Sequence, residues 1–416
     1  MITTSRQVKK FAGIDDIFQL PNGNLLITYL GAKDLTTPGG LVEIDVNGDV
    51  IGEYDAAEPG GPIRYVPSVK GVTDAGLLAH PHGMDIRPDL GVVIASDYAD
   101  PSTIAGNTVP WNPNQDLGTT VRVWDVSHLD AGPQKIIQVP AGPRVESNPV
   151  QKEPEGLMEV GLTHLRQHKG AFTASMMGGT LFYSPDITAP SPVFREVYDV
   201  GPSAGPSLFI ITPDDRYLVL PVAGILSPGD PNYNRDYPGE HSRRLVALDI
   251  RRLLAAGSQL ECDAPRVVIG PDGFTKTILG HNNGAADCPV ETSSLNLDSE
   301  GNFASHGGPH FIAVDHESRR IAASNYFVQL TPFGLPGTQS AGDDRVCMAW
   351  LTPRGELVRD DRFKDELTGQ PCVAFDRPVS YSWPNRGTTG AAKPHMMAFI
   401  NLAADEGRNG ERANDQ

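Results

Sequence analysis

PHGMDIRPDLGVVIASD, residues 81–97, and PHFIAVDHESRRIAASN, residues 309–325, carry one pattern. Each opens on Pro-His, runs through a short strand and a polar turn, and continues as a strand of small and β-branched residues. The interval from His to Ser is 14 residues in both, His82 to Ser96 and His310 to Ser324. PSLFIITPDDRYLVLPV (206–222) fits the frame without a gap and sets Ser207 at the His position. IDDIFQLPNGNLLITYL (14–30) fits as well and sets Asp15 there. THLRQHKGAFTAS (163–175) reads as a copy whose turn is shorter by three residues. A supersecondary unit that recurs in frame across the chain is the mark of a repeat architecture.

Each copy is followed by a second recurring unit of alternating residues: LVEIDVNGDVIGEY (41–54), VRVWDVSHLD (121–130), TLFYSPDI (180–187), LVALDIRRL (245–253) and VCMAWLTPRGELV (346–358). Period-2 alternation punctuated by NG, DG and PDD turns marks half-buried antiparallel strands. About four strands per unit, spaced with long inserted loops, predict an all-β protein, a β-propeller. Five blades are visible, and residues 1–13, 255–307 and 360–416 would supply more. Seven blades are expected, with six as the alternative. A two-sheet sandwich gives no reason for an in-register repeat. Residues 1–400 therefore read as a single propeller domain and 401–416, NLAADEGRNGERANDQ, as a polar tail. Residues 99–118 and 225–242, rich in Pro, Asn, Asp and Gly, read as loops over one face.

Composition agrees and narrows the partners. Glycine (44) and proline (36) make up about a fifth of the 416 residues, which favours short elements over long helices. Lys+Arg 34 against Asp+Glu 51 leaves a net charge of -17, so nucleic acid and anionic membranes would be repelled. No run of 18 apolar residues exists, which excludes a spanning helix. The start, MITTSRQVKKFAGIDD, lacks the apolar stretch of a signal peptide, and a cytoplasmic location is expected. Cys262, Cys288, Cys347 and Cys372 lie far apart without a CxxC, suggesting neither a disulfide framework nor a zinc cluster.

The repeat frame turns scattered histidines into a constellation. The first strand of each propeller blade lines the central channel, and its first residue sits at one mouth. His82 and His310 share that position in two blades; His164, in GLTH, stands at the start of the shortened copy, and His395, in AAKPHMMAFI, precedes a further apolar run. Four imidazoles from four blades would converge on the axis. Neutral imidazoles suit a redox-active first-row metal, copper or iron. Zinc centres more often pair three protein ligands with an open fourth position. His80, His168 and His306 are secondary candidates, while His128, His316, His241 and His281 fall in turns and loops. Ligand imidazoles commonly donate their second N–H to a carboxylate or carbonyl, and Asp85, Asp97, Glu155 and Glu159 are candidates. Asp97, in SDYADP, matches Asn325 in SNYF, with Tyr98 and Tyr326 following; one such pair would line a pocket, or all four would pack at the blade edges. Asp15 and Asp16 would suit calcium, which histidine serves poorly. No GxSxG elbow, P-loop or dinucleotide GxGxxG is present.

The segments NGNLLITYLGA with PGGLVEID, VIASDYADPSTI, VRVWDV, GTLFYSPDI, PDDRYLVLP and GGPHFIAVDHESRRIAASNYF occur in the order of, and resemble, blocks of the selenium-binding protein / methanethiol oxidase family across roughly residues 13–400. The resemblance implies a propeller and a copper-dependent oxidase, the family's characterised enzymes converting methanethiol to formaldehyde, hydrogen sulfide and hydrogen peroxide. Only His395 matches a family histidine; His82, His164 and His310 stand where the family has other residues, and the N-terminal cysteine motif is missing. The resemblance thus implies a rebuilt centre and does not carry the substrate over. Histidines from four blades are also similar in geometry to the iron site of carotenoid and stilbene cleavage oxygenases, without a sequence match.

The expectation is a metal-dependent oxidoreductase or oxygenase acting on a small organic substrate with dioxygen. His82, His164, His310 and His395 would hold a copper or iron ion, with Asp97 as the catalytic carboxylate that orients a ligand or moves a proton. A lyase or hydrolase using the metal as a Lewis acid and a non-catalytic interaction scaffold are the alternatives.

Overall fold

The computed structural model describes residues 7–34, 38–57, 64–66, 79–99, 117–140, 156–176, 179–200, 205–226, 244–256, 266–269, 275–278, 290–297, 308–315, 319–326, 339–340, 342–383 and 388–399. The loops expected at 99–118 and 225–242 fall mostly outside these residues, as do Glu155, His241, His281, His306, His316 and the tail 401–416.

Five antiparallel sheets of at least four strands follow one another along the chain. Blade 1 runs Phe11–Gln19, Leu25–Ala32, Gly40–Ile44, Val50–Asp55. Blade 2 runs Pro81–Arg87, Val92–Asp97, Thr120–Asp125, Lys135–Gln138, and Arg64–Val66 joins its outer edge in parallel. Blade 3 is Leu157–Leu162, Ala171–Ser175, Thr180–Ser184, Arg195–Asp199. Blade 4 is Ile210–Ile211, Tyr217–Val222, Arg244–Asp249, Glu291–Asn296. Blade 5 is Phe311–Asp315, Arg320–Asn325, Arg345–Leu351, Leu357–Arg359, with Val373–Ala374 added to its third strand. Residues from the first strand of every blade, or from its lead-in, line one shared cavity, so these strands stand innermost.

Alternation along the second strands explains why the blades pack on both faces. In blade 2, Val93 joins Leu26, Leu41 and Trp124 in the cluster shared with blade 1, while Ile94 joins Val160 and Phe182 in the cluster shared with blade 3. In blade 4, Leu218 turns toward Phe172 and Tyr198 of blade 3, and Val219 toward Ile321 and Cys347 of blade 5. All four of these second-strand side chains are fully buried. Successive residues of a strand point to opposite faces, and each fully buried aliphatic side chain stabilises by about 1.5–3 kcal/mol.

Frame equivalence holds at atomic detail in the two strongest copies. Ser96 Oγ lies 3.4 Å from Gly83 O and Ser324 Oγ 3.4 Å from Phe311 O, each the carbonyl one residue after the His. His310 N–H donates to Ser324 O at 2.8 Å and Ser207 N–H to Pro221 O at 2.9 Å, again matched positions. The copy at 163–175 is framed differently from expectation. Its inner strand is Leu157–Leu162, so the turn is longer, and His164 lies beyond the strand's end. Within the stretches expected to supply additional blades, Glu291–Asn296 closes blade 4, Val373–Ala374 extends blade 5, and Arg266–Ile269 pairs with Thr275–Ile278 as a two-stranded sheet.

The reading of the cysteines is corrected. Cys347 and Cys372, 25 residues apart, form a disulfide. The pairing Val346↔Val373 brings the two together in the core between blades 4 and 5, a proximity set by strand register and invisible in the spacing.

Candidate metal centre

Three of the four expected histidines meet at one end of the channel, and the fourth group there is Asp15. His310 Nε2 faces His395 Nε2 at 3.2 Å. His82 Nε2 is paired with the Asp15 carboxylate. The two pairs lie within electrostatic reach, since both His310 and His395 act on Asp15. His82, His310 and Asp15 are buried, and His395 is partly exposed. Repeat logic explains the convergence: Asp15, His82 and His310 hold the same frame position in blades 1, 2 and 5.

Each ring is oriented through its second nitrogen or its backbone. His82 Nδ1 lies 2.7 Å from Met158 O, a carbonyl of the blade 3 inner strand. His310 Nδ1 lies 3.0 Å from Ser207 Oγ of blade 4. Ser324 Oγ donates to His395 O at 2.9 Å, which ties the C-terminal segment to blade 5. Tyr98 stacks beside His82 at 4.8 Å between centroids, and Tyr326 flanks both His310 at 5.6 Å and His395 at 4.7 Å. Tyr98 and Tyr326 thus pack against the histidine rings, and neither is among the residues that line the cavity.

Burial and mutual charge set the protonation states. Burial, with the charges of His395 and His82, pushes the His310 pKa down to about 3. Burial also lowers that of His395. Burial opposes charging of His82, yet the Asp15 carboxylate raises its pKa; burial would raise that of Asp15, but His82 holds it below the usual range. His310 and His395 are therefore neutral imidazoles near neutral pH, while His82 and Asp15 each favour the charged form of the other.

The donor chemistry fits a metal. Two imidazole nitrogens bound at about 2.0–2.1 Å with angles between square and tetrahedral stand roughly 2.9–3.4 Å apart, and the His310 and His395 nitrogens fall in that range. With Nδ1 protonated toward Ser207, His310 presents its Nε2 lone pair, the arrangement found where an outer partner orients a ligand imidazole. Among the described residues, no group of three or more His, Cys, Asp or Glu side chains is assembled around one point. The donors stand as two facing pairs.

The other expected site residues lie elsewhere. His164 is exposed at the opposite end of the cavity, its Nε2 3.0 Å from Ile211 O. Asp97 is fully buried between the second and third strands of blade 2, where it accepts from His80 N–H, the Thr120 hydroxyl and the Arg122 guanidinium. Asp85 and Glu159 line the channel and do not touch the histidine rings. Asp15 was legible as the His-position residue of its copy, which was the signal that it belongs with His82 and His310.

Below the donors lies a cavity of about 630 Å³. Its lining begins one or two residues beyond each of the four groups, at Asp16, Met84, Phe311 and Met396, so the donors cap its inner end. The lining is mostly apolar, with Asp16, Asp85 and Glu159 along one wall. Burial, with the adjacent Asp15 charge, raises the Asp16 pKa to about 7 against hydrogen bonds that lower it.

Four-stranded antiparallel sheets set around an axial cavity define a β-propeller. Among solved structures, a hypothetical selenium-binding protein from Sulfolobus tokodaii is similar at TM-score 0.53 and 14% identity, covering 85% of this chain and 67% of that one. The periplasmic gluconolactonase of Pseudomonas aeruginosa follows at TM-score 0.42 and 11% identity, with 91% and 76% covered. The β-propeller domain of Myceliophteria thermophila Cps50 is similar at TM-score 0.42 and 10% identity, with 88% and 75% covered. No protein-family model matches the chain, and no curated protein matches it. Among the described residues, no helix is long and apolar enough to cross a membrane.

Proposed function

We propose that this chain is a metal-dependent oxidoreductase for a small organic substrate, with dioxygen as the oxidant. His82, His310, His395 and Asp15 would hold one copper or iron ion, and the channel cavity would hold the substrate. The observation that carries the reading is the facing pair of neutral imidazole nitrogens at 3.2 Å, backed by the His82–Asp15 pair. A bound copper or iron supplies the redox chemistry with dioxygen that these side chains lack. The chain's own groups hold the geometry: Ser207 and the Met158 carbonyl fix two rings, and Tyr98 and Tyr326 shield the donors from water. The resemblance to the selenium-binding protein / methanethiol oxidase family supports the same class, though the donor set differs.

Asp15 gives a second reading some weight. A hard oxygen donor also suits zinc, and with zinc the site would act as a Lewis acid for a lyase or hydrolase. Oxygen uptake separates the two. The metal-loaded protein should consume dioxygen with small thiols or phenolic alkenes, and His310→Ala should not. Uptake unchanged in His310→Ala, or a loaded protein that turns substrate over without oxygen, would refute the oxidoreductase reading. Buried disulfides persist in oxidising surroundings, so Cys347–Cys372 favours an oxidising compartment over the cytoplasmic location expected from the first residues.

A further inference from the structure

Three carboxyl groups stand in the channel cavity beyond the histidine end. Asp16 Oδ2 accepts from Met84 N–H at 2.9 Å, Asp85 Oδ2 from Leu162 N–H at 2.6 Å, and Glu159 Oε1 from Val160 N–H at 2.8 Å. They come from the inner strands of blades 1, 2 and 3. Strand packing brings blades 2 and 3 close here: a Cβ built on Gly83 would lie 2.7 Å from the Glu159 Cα, so glycine is what permits this approach. Glu159 is only 6% exposed, and its Oε2 has no hydrogen-bond partner among the described residues. That oxygen belongs to a side chain lining the cavity.

No Lys or Arg lines the cavity among the described residues. Arg87, which is not among the lining residues, is bound to Asp89 and the Thr163 carbonyl. Arg87 and His164 act on Asp85 and His82 on Asp16, but no cation offsets the burial of Glu159, and a buried carboxyl of that kind is costly. Burial first, and then the neighbouring Asp16 charge, raise the Glu159 pKa well above the usual range. Phe209, Ile211, Phe311 and Met396 supply apolar lining to the same cavity. A cavity of about 630 Å³ is far larger than a bare ion requires, and few polar groups set in an apolar cleft are what an organic ligand meets in its site.

We propose that this channel binds a hydrophobic monoamine, its ammonium seated among Glu159, Asp85 and Asp16 and its apolar body against Phe209 and Phe311. An ammonium brings three donors to acceptors that face the cavity, and charge-assisted bonds of this kind are about twice as strong as neutral ones. A calcium ion is disfavoured because it needs six or more converging oxygens, whereas each carboxyl here already spends an oxygen on a backbone N–H. The inference goes beyond the oxidoreductase reading and does not require a metal.

Calorimetric titration of the full chain with phenethylamine, 2-phenylethanol and 3-phenylpropanoate tests it. The amine should bind at least about tenfold more tightly than the alcohol, and the acid should not bind. Glu159→Gln should cut that ratio below about threefold, and Asp85→Asn provides the same test should the first variant fold poorly. His310→Ala should keep the preference, which separates this result from any failure at the metal centre. Equal affinity for amine and alcohol, an amine preference untouched by both carboxyl variants, or displacement of the amine by equimolar calcium would each overturn the proposal.

Discussion

Arg122→Met should destabilise the fold by about 3–5 kcal/mol, the usual cost of removing one partner of a buried ion pair. Arg122 and Asp97 are both fully buried in blade 2. The Arg122 Nε lies 2.8 Å from one Asp97 oxygen and 3.1 Å from the other, and Nη1 donates to Ala56 O at 2.8 Å, bolting blade 2 to blade 1. Methionine restores much of the side-chain volume but leaves the Asp97 carboxylate with only His80 N–H and Thr120 as donors. An unfolding entropy of about 0.9 kcal/mol/K for 416 residues converts the loss into a Tm lower by roughly 3–6 °C. Urea unfolding and calorimetry read both quantities. The double variant Asp97→Asn/Arg122→Met should regain about 1–3 kcal/mol over the single one, because no unpaired charge remains while Asn still accepts from His80. A single variant within about 1 kcal/mol of wild type, or a double variant no better than the single, would refute this account of Asp97 as a bolt between strands.

Asp365 offers a pH test. Burial would raise its pKa, but Arg377 and the N–H groups of Ala374, Thr368 and Leu367 hold it well below the usual range. Its contribution is therefore present above the unfolded value near pH 4 and is lost as pH falls through the folded value; Asp365→Asn should be less stable than wild type at pH 7, with the gap narrowing below about pH 4. A gap constant with pH would contradict it. Breaking the Cys347–Cys372 bond by Cys347→Ser should lower stability by about 3.5 kcal/mol, the loop-entropy value for a 25-residue separation. Wild-type protein pretreated with dithiothreitol should match the variant, and a reductant-insensitive melting curve would show that no such bond forms. Ser207→Ala removes the oxygen beside His310 Nδ1, and metal affinity should fall by about tenfold or more, read by competition with a chelator; an unchanged affinity would detach Ser207 from the centre.

The repeat frame made the fold legible because it depends on short-range chemistry: alternation in strands and Gly, Asn and Asp in turns. His82, His310 and Asp15 were readable for the same reason, each holding the frame position that the next inner strand repeats. His164 misled because the blade 3 turn is longer, so a His after the inner strand looked like one before it; Met158 occupies the matching place and contributes its carbonyl to His82. Asp97 directly follows a readable frame position, but the Arg122 partner that fixes its role comes from a strand 25 residues on. Cys347 with Cys372 and the Asp16, Asp85 and Glu159 wall depend on which strands become neighbours, information that no local pattern carries.

Elemental analysis of the purified protein after reconstitution with copper or iron, beside His310→Ala, Asp15→Ala and His164→Ala, tests the central claim most directly. The account predicts about one metal per chain in wild type and in His164→Ala, and a loss of stoichiometric metal in His310→Ala and Asp15→Ala. Metal retained in His310→Ala and Asp15→Ala, or lost in His164→Ala alone, would contradict it.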